Sequence, residues 1–61
     1  MNKTQYYAIR GVLSLESIRC ELELEDARKR GFIGAAMRIF KDRYTKANKA
    51  IEILDEVMNN G

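Results

Sequence analysis

The sequence predicts an all-α protein, built as an antiparallel two-helix hairpin that dimerises into a four-helix bundle. Two long stretches carry apolar residues at helical spacing, a glycine preceded by cations separates them, and proline is absent. Residues 1–61 are therefore expected to form a single domain. Its first helix covers about residues 3–30, the turn lies at Gly31, and the second helix covers about residues 32–58.

The second half of the chain has the stronger helical pattern, because two apolar rows run along it side by side. The first row contains Ile33, Met37, Phe40, Tyr44, Ala47, Ile51, Leu54 and Met58. The second row is apolar at both ends and cationic in the middle, and contains Phe32, Ala36, Ile39, Arg43, Lys46, Ala50, Ile53 and Val57. A single neighbouring helix covers one row. The second row therefore predicts an interface with another copy of the chain or with a different protein.

The first half predicts a helix with two opposed apolar faces. Asn2 and Gln5 have the spacing of a capping box at its start. At about 100° per residue, one face holds Tyr6, Ile9, Leu13, Cys20, Leu24 and Ala27, and the opposite face holds Ala8, Leu15, Ile18 and Leu22. Such a helix packs between two neighbours, so Leu15, Ile18 and Leu22 are further candidates for the self-association or partner interface.

Two features of this half allow other interpretations. Gly11 weakens a helix and could mark a close helix contact, a kink or a break. Residues 18–25 alternate apolar with charged side chains, which is typical of a strand. Glutamate and leucine favour helix, however, and the chain offers no second strand for pairing. We therefore expect one continuous helix.

The turn is predicted from Arg28, Lys29 and Arg30, which precede Gly31 as cations do at the C-terminus of a helix. If the chain reverses there, residues whose numbers sum to about 62 lie side by side. This register places Arg10 beside Glu52. It also places Glu16 beside Lys46, and it brings Arg19 close to Arg43.

Charge is segregated along the chain although the net charge is only +2. Residues 28–49 carry eight lysines and arginines against one acid, whereas residues 1–27 and 50–61 carry more acids than bases. Pairing between acids of one helix and cations of the other neutralises part of this segregated charge. The cations that remain at the turn, Arg28, Lys29, Arg30 and Arg38, are candidate nucleic-acid contacts.

The cations in the middle of the second row have two interpretations. Arg43 and Lys46 either extend over the edge of the core towards water or an acid such as Glu16 or Glu23, or they form the centre of an interface. In the second case they select a partner that supplies an acid, because any other partner would bury an unpaired cation.

Enzymatic chemistry is not expected. The chain has no histidine for general acid–base catalysis or for a zinc site. Its only cysteine, Cys20, lies in an apolar row and is expected to be a buried hydrophobic residue. The acids Glu21, Glu23, Glu25 and Asp26 are expected to form a solvated face, and we predict no catalytic residue, metal, cofactor or small-molecule substrate.

The function predicted from these features is that of a small non-enzymatic protein-binding module. Two helices alone bury too little apolar surface to offset easily the conformational entropy of ordering 61 residues. This favours a homodimer, and it favours binding to a larger protein as an adaptor or inhibitor. The alternative is an RNA- or DNA-binding regulator that uses the basic turn. No membrane contact is expected, and a cytoplasmic location is predicted because neither a signal peptide nor a long apolar run is visible.

Overall fold

The computed structural model describes residues 1–60 as two antiparallel helices, α1 (Lys3–Lys29) and α2 (Ala35–Asn60), and Gly61 lies outside the described residues. The helices pack against each other, and residues 1–60 contain no strand. The all-α hairpin is therefore confirmed. The alternative strand at residues 18–25 is wrong, because these residues lie within α1. Dimerisation into a four-helix bundle stays a prediction.

The start of α1 is fixed by the predicted capping box. The Gln5 backbone N–H donates to the Asn2 side-chain oxygen at 2.8 Å, and the Asn2 N–H donates to the Gln5 side chain at 3.2 Å. Gly11 is a helical residue inside α1 and does not interrupt the helix. The first helix is thus continuous, as expected.

The end of α1 is a Schellman motif around Gly31, whose φ of 80° favours glycine. The Phe32 N–H donates to the Ala27 carbonyl at 3.0 Å, and the Gly31 N–H donates to the Arg28 carbonyl at 3.1 Å. These bonds satisfy carbonyls that the helix end would otherwise leave free. The turn at Gly31 is in the predicted place.

The second helix begins later than predicted, at Ala35 instead of about residue 32. Gly34 has a φ of 66°, a left-handed conformation that separates residues 32 and 33 from the helix. The connection therefore contains two left-handed glycines, and Phe32 and Ile33 lie between them. At its other end α2 extends to Asn60, beyond the expected end near residue 58.

The core is a thin strip of small and medium side chains between the helices. Its buried members are Cys20, Leu24, Ala27, Ala47 and Leu54. All five belong to the rows predicted to face each other. Ile33, which the sequence placed in the same row of the second helix, is 84% exposed because it precedes α2.

The hairpin is long and thin, with dimensions of 43 × 16 × 10 Å. Its radius of gyration is 14.0 Å, whereas a compact domain of this length has roughly 10.5 Å. Its accessible surface is 4790 Å², whereas roughly 4,100 Å² is typical of a monomer of this mass. The molecule thus exposes about 700 Å² more than a compact monomer would.

Candidate protein-binding surfaces

One side of the hairpin carries the polar contacts that join the two helices. The Tyr6 hydroxyl donates to Asp55 at 2.6 Å, and the Arg10 guanidinium donates to both oxygens of the same carboxylate at 3.1 and 3.4 Å. Further along, the Ser17 hydroxyl donates to the side-chain oxygen of Asn48 at 2.6 Å. We call this surface the polar side.

The contacts on the polar side change the acidity of the groups that make them. The hydrogen bond from Tyr6, followed by that from Arg10, lowers the pKa of Asp55. The same carboxylate raises the pKa of Tyr6, because a neutral hydroxyl is needed to donate to it. The cluster is therefore most stable with Asp55 ionised and Tyr6 neutral.

The register of the hairpin differs from the one predicted. Arg10 pairs with Asp55, which lies three residues beyond the predicted partner Glu52. Lys46 is not paired with Glu16 but contacts Asp42 of its own helix at 4.0 Å. The shift arises because the connection includes residues 32–34, so the chain reverses later than a turn centred on Gly31 would require.

The opposite side of the hairpin carries the second row of α2, now limited to its helical members. We call it the α2 side row, and it consists of Ala36, Ile39, Arg43, Lys46, Ala50, Ile53 and Val57. Ala50 is half-buried and the others are exposed. Phe32 was predicted to continue this row but lies in the connection instead, where it is also exposed.

The cations in the middle of the α2 side row are held loosely. Arg43 approaches Glu23 of α1 at 3.8 Å and lies 6.0 Å from the centre of the Phe40 ring. Glu23 is one of the two acids that the sequence offered to this arginine. Both cations are exposed, so their ion pairs contribute little to stability and leave the charges accessible to a partner.

A second apolar row lies on α1, on the surface turned away from α2. We call it the α1 outer row, and it consists of Ala8, Leu15, Ile18 and Leu22. All four are exposed, and Leu15 is 69% exposed. Gly11 lies in line with this row, and a Cβ atom added there would meet nothing within 4 Å. The row is therefore open to contact along its whole length.

The α1 outer row and the α2 side row occupy different faces of the hairpin. They therefore do not form one continuous interface. Val12, which is 68% exposed, lies between them at about 100° per residue. The sequence interpretation missed Val12, because it falls between the two apolar faces of α1. Arg19, which the predicted register brought close to Arg43, pairs with Glu16 at 3.4 Å and Glu23 at 3.6 Å on its own helix.

The candidate nucleic-acid residues gather at the closed end of the hairpin. Arg28 and Lys29 lie in the last turn of α1, Arg30 is its C-cap, and Arg38 lies in the first turn of α2. Arg30 pairs with Asp26 at 3.0 Å. The closed end is thus basic, as the sequence predicted, with one of its cations partly neutralised.

The acids, the cysteine and the helices of residues 1–60 bear on metal binding, thiol reactivity and membrane spanning. These residues contain no cluster of acids and cysteine that could hold a metal ion. Cys20 is buried, and this burial raises the pKa of its thiol, which disfavours the reactive thiolate. Neither helix contains an apolar stretch long enough to cross a bilayer.

Comparisons of the chain with protein families, with curated proteins and with solved structures give no match.

Proposed function

We propose that the chain is a small non-enzymatic protein-binding module that acts as a self-associating helical hairpin. The observation that carries this proposal is that both helices keep an apolar row exposed after they have packed against each other. An adaptor or an inhibitor of a larger protein uses such a surface. The α1 outer row and the α2 side row give it two separate contact faces.

The amount of exposed surface supports association. A standard protein interface removes about 800 Å² from each partner, and the hairpin exposes about 700 Å² more than a compact monomer of its mass. Its core contains no residue larger than leucine. A second layer of helices would bury apolar side chains that the hairpin alone leaves in water.

The α1 outer row is the better surface for a second copy. Its members are uncharged, and two copies of α1 can run antiparallel with Leu15 against Ile18 about a two-fold axis. In this arrangement Leu22 of each chain faces Gly11 of the other, so a large side chain meets an open position. The product is a dimer of four helices, in which the two α1 helices lie in the middle and each α2 lies on the outside.

The α2 side row is better suited to a different protein. In a two-fold contact centred on this row, Arg43 and Lys46 would face the same cations of the second copy. Like charges facing each other oppose such pairing. A partner with an acid surrounded by apolar side chains fits this row, because it neutralises the central cations and covers Ile39, Ile53 and Val57.

Sedimentation equilibrium of the full chain tests the self-association. We expect wild type to form dimers and Leu15→Asp to be monomeric, since a carboxylate in the α1 outer row would be buried without a partner. Thr45→Asp is the matched control, because Thr45 is exposed on α2 and belongs to neither row. It should dimerise as wild type does.

The same measurement separates the two rows. Ile53→Asp changes the α2 side row and should leave the dimer intact. Wild type should bind a host protein at about 0.5 M salt, and Ile53→Asp should lose this binding. A wild-type chain that is monomeric at all concentrations would contradict the self-association. Equal dimerisation of wild type and Leu15→Asp would show that the α1 outer row is not the contact.

A further inference from the structure

The closed end of the hairpin presents an apolar side chain at its apex. Ile33 is 84% exposed and lies between the left-handed residues Gly31 and Gly34, which fix the path of the connection. Phe32 beside it is also exposed and stacks on Phe40, with ring centres 6.0 Å apart. The apex therefore displays an aliphatic and an aromatic side chain, held by the path of the connection and by the stacking of Phe32 on Phe40.

Cations lie at the same end of the hairpin as these apolar side chains. From Ala27 to Lys41 the chain contains no acid. Within residues 1–60, Arg28, Lys29, Arg38 and Lys41 have no carboxylate within 4.0 Å. A surface groove is lined by Ile33, Arg38 and Lys41 together, so the apolar and cationic groups face the same space.

The apex is separate from the surfaces assigned to protein binding. Both rows run along the sides of a hairpin that is 43 Å long, whereas Ile33 lies in the connection at its end. Side-by-side association of hairpins leaves such an end exposed. Covering Ile33 therefore requires a ligand that approaches along the axis of the hairpin.

We propose that this tip, formed by Phe32 and Ile33 with the cations Arg28, Lys29, Arg38 and Lys41 at the same end of the hairpin, docks on an anionic phospholipid surface. Ile33 and the edge of Phe32 enter the boundary between headgroups and acyl chains, while the cations lie at the level of the lipid phosphates. The chain does not cross the bilayer. No membrane contact was expected from the sequence, which placed Ile33 in the first apolar row of the second helix. In the structure Ile33 precedes α2 and is exposed.

The side chain at the apex favours a lipid over a nucleic acid. Phosphates of either ligand satisfy the cations, but an aliphatic side chain gains little from stacking with a base. Transfer of Ile33 into an acyl layer removes its apolar surface from water. A lipid surface therefore matches Ile33, Phe32 and the cations, whereas a nucleic acid matches the cations and Phe32 but not Ile33.

Co-sedimentation of the full chain with vesicles tests this proposal. We expect binding to phosphatidylcholine vesicles that contain about 30% phosphatidylserine and no binding to phosphatidylcholine alone. Ile33→Ser should weaken binding roughly tenfold, whereas Ile33→Leu should retain it. Combined substitution of Arg28, Lys29 and Arg38 by alanine should weaken it on the order of a hundredfold. Lys49→Ala, in the middle of α2, should change it little.

A fluorescent probe reports the depth of contact. The chain has no tryptophan, so Phe32→Trp introduces a single reporter at the tip. Its emission should shift to shorter wavelength when phosphatidylserine-containing vesicles are added. The helical content by circular dichroism should match wild type for every variant, since the altered side chains are exposed.

Three outcomes would overturn the proposal. The first is the absence of vesicle binding at low salt. The second is equal binding by wild type and Ile33→Ser, which would show a contact made by charge alone. The third is a mobility shift with single-stranded RNA that Ile33→Ser leaves unchanged, in the absence of vesicle binding, which would assign the tip to nucleic acid. None of these outcomes bears on the dimer, which sedimentation without vesicles measures separately.

Discussion

Asp55 is the residue on which the open end of the hairpin depends. Its carboxylate accepts hydrogen bonds from Tyr6 and Arg10, which lie one turn apart on α1. No other ion pair between the helices is shorter than the 3.1 Å contact with Arg10. Asp55 therefore joins the two helices in the register that the connection sets.

This cluster predicts a pH dependence of stability that Asp55→Asn removes. Because the pKa of Asp55 is lower in the folded chain than in the unfolded one, its contribution is complete above the ordinary aspartate pKa of about 3.9. It is lost as the pH falls through the lowered folded value. Wild type should melt at a higher temperature than Asp55→Asn near pH 6, and the difference should close near pH 2.

At high pH, the stability of the folded chain depends on Tyr6. Its pKa is raised in the folded chain, so its contribution is present below the ordinary tyrosine pKa of about 10 and is lost as the pH rises through the raised value. Thermal melts of wild type and Asp55→Asn across the pH range measure the dependence at low pH and at high pH. A difference between them that does not change with pH would contradict this account.

The sequence did not reveal the role of Asp55, because the register predicted from it paired Arg10 with a different acid. A reversal centred on Gly31 brings Glu52 to Arg10, and only the left-handed conformation of Gly34 moves the partner to Asp55. Glycine permits such a conformation but does not require it, so the pattern of residues alone cannot place the shift. The exposure of Ile33 escaped prediction for the same reason.

At the scale of the helix, substitutions at Gly11 separate the stability of the hairpin from the stability of the proposed dimer. In the isolated hairpin a side chain at this position meets nothing within 4 Å. Gly11→Ala should therefore stabilise the hairpin by about 1 kcal/mol, as expected inside an exposed helix. Denaturation in the monomeric Leu15→Asp background measures this gain.

The larger substitution Gly11→Leu should have opposite effects on the hairpin and on the dimer. The helix gains propensity, whereas an antiparallel contact with Leu22 of the second copy is forced apart. We expect the dimer dissociation constant to rise at least roughly tenfold in sedimentation equilibrium. Unchanged dimerisation would place the contact away from Gly11.

The helices themselves were predicted well because several local signals agree. The capping box at Asn2 marks the start of α1, the cations before Gly31 mark its end, and the apolar period indicates α2. The structure contains all three features. The alternating pattern of residues 18–25 favoured a strand only locally. Helix formation prevailed there because α1 buries Cys20 and Leu24 against α2.

For the whole molecule, the thin core predicts that stability depends on protein concentration. Each dimer that forms removes apolar surface from water, so association stabilises the folded state by mass action. The melting temperature of wild type should rise as concentration increases, while that of Leu15→Asp should stay constant. A wild-type melting temperature independent of concentration would contradict the proposed dimer.

The antiparallel path brings residues 1 and 60 to one end of the molecule and the connection to the other, up to 43 Å away. In the Leu15→Asp chain, which is expected to be monomeric, a reporter domain fused at either terminus would therefore stand clear of Ile33. The hairpin would act as a spacer between the fused cargo and whatever surface the connection touches. Tagged versions of this variant are thus suited to imaging its location in a cell.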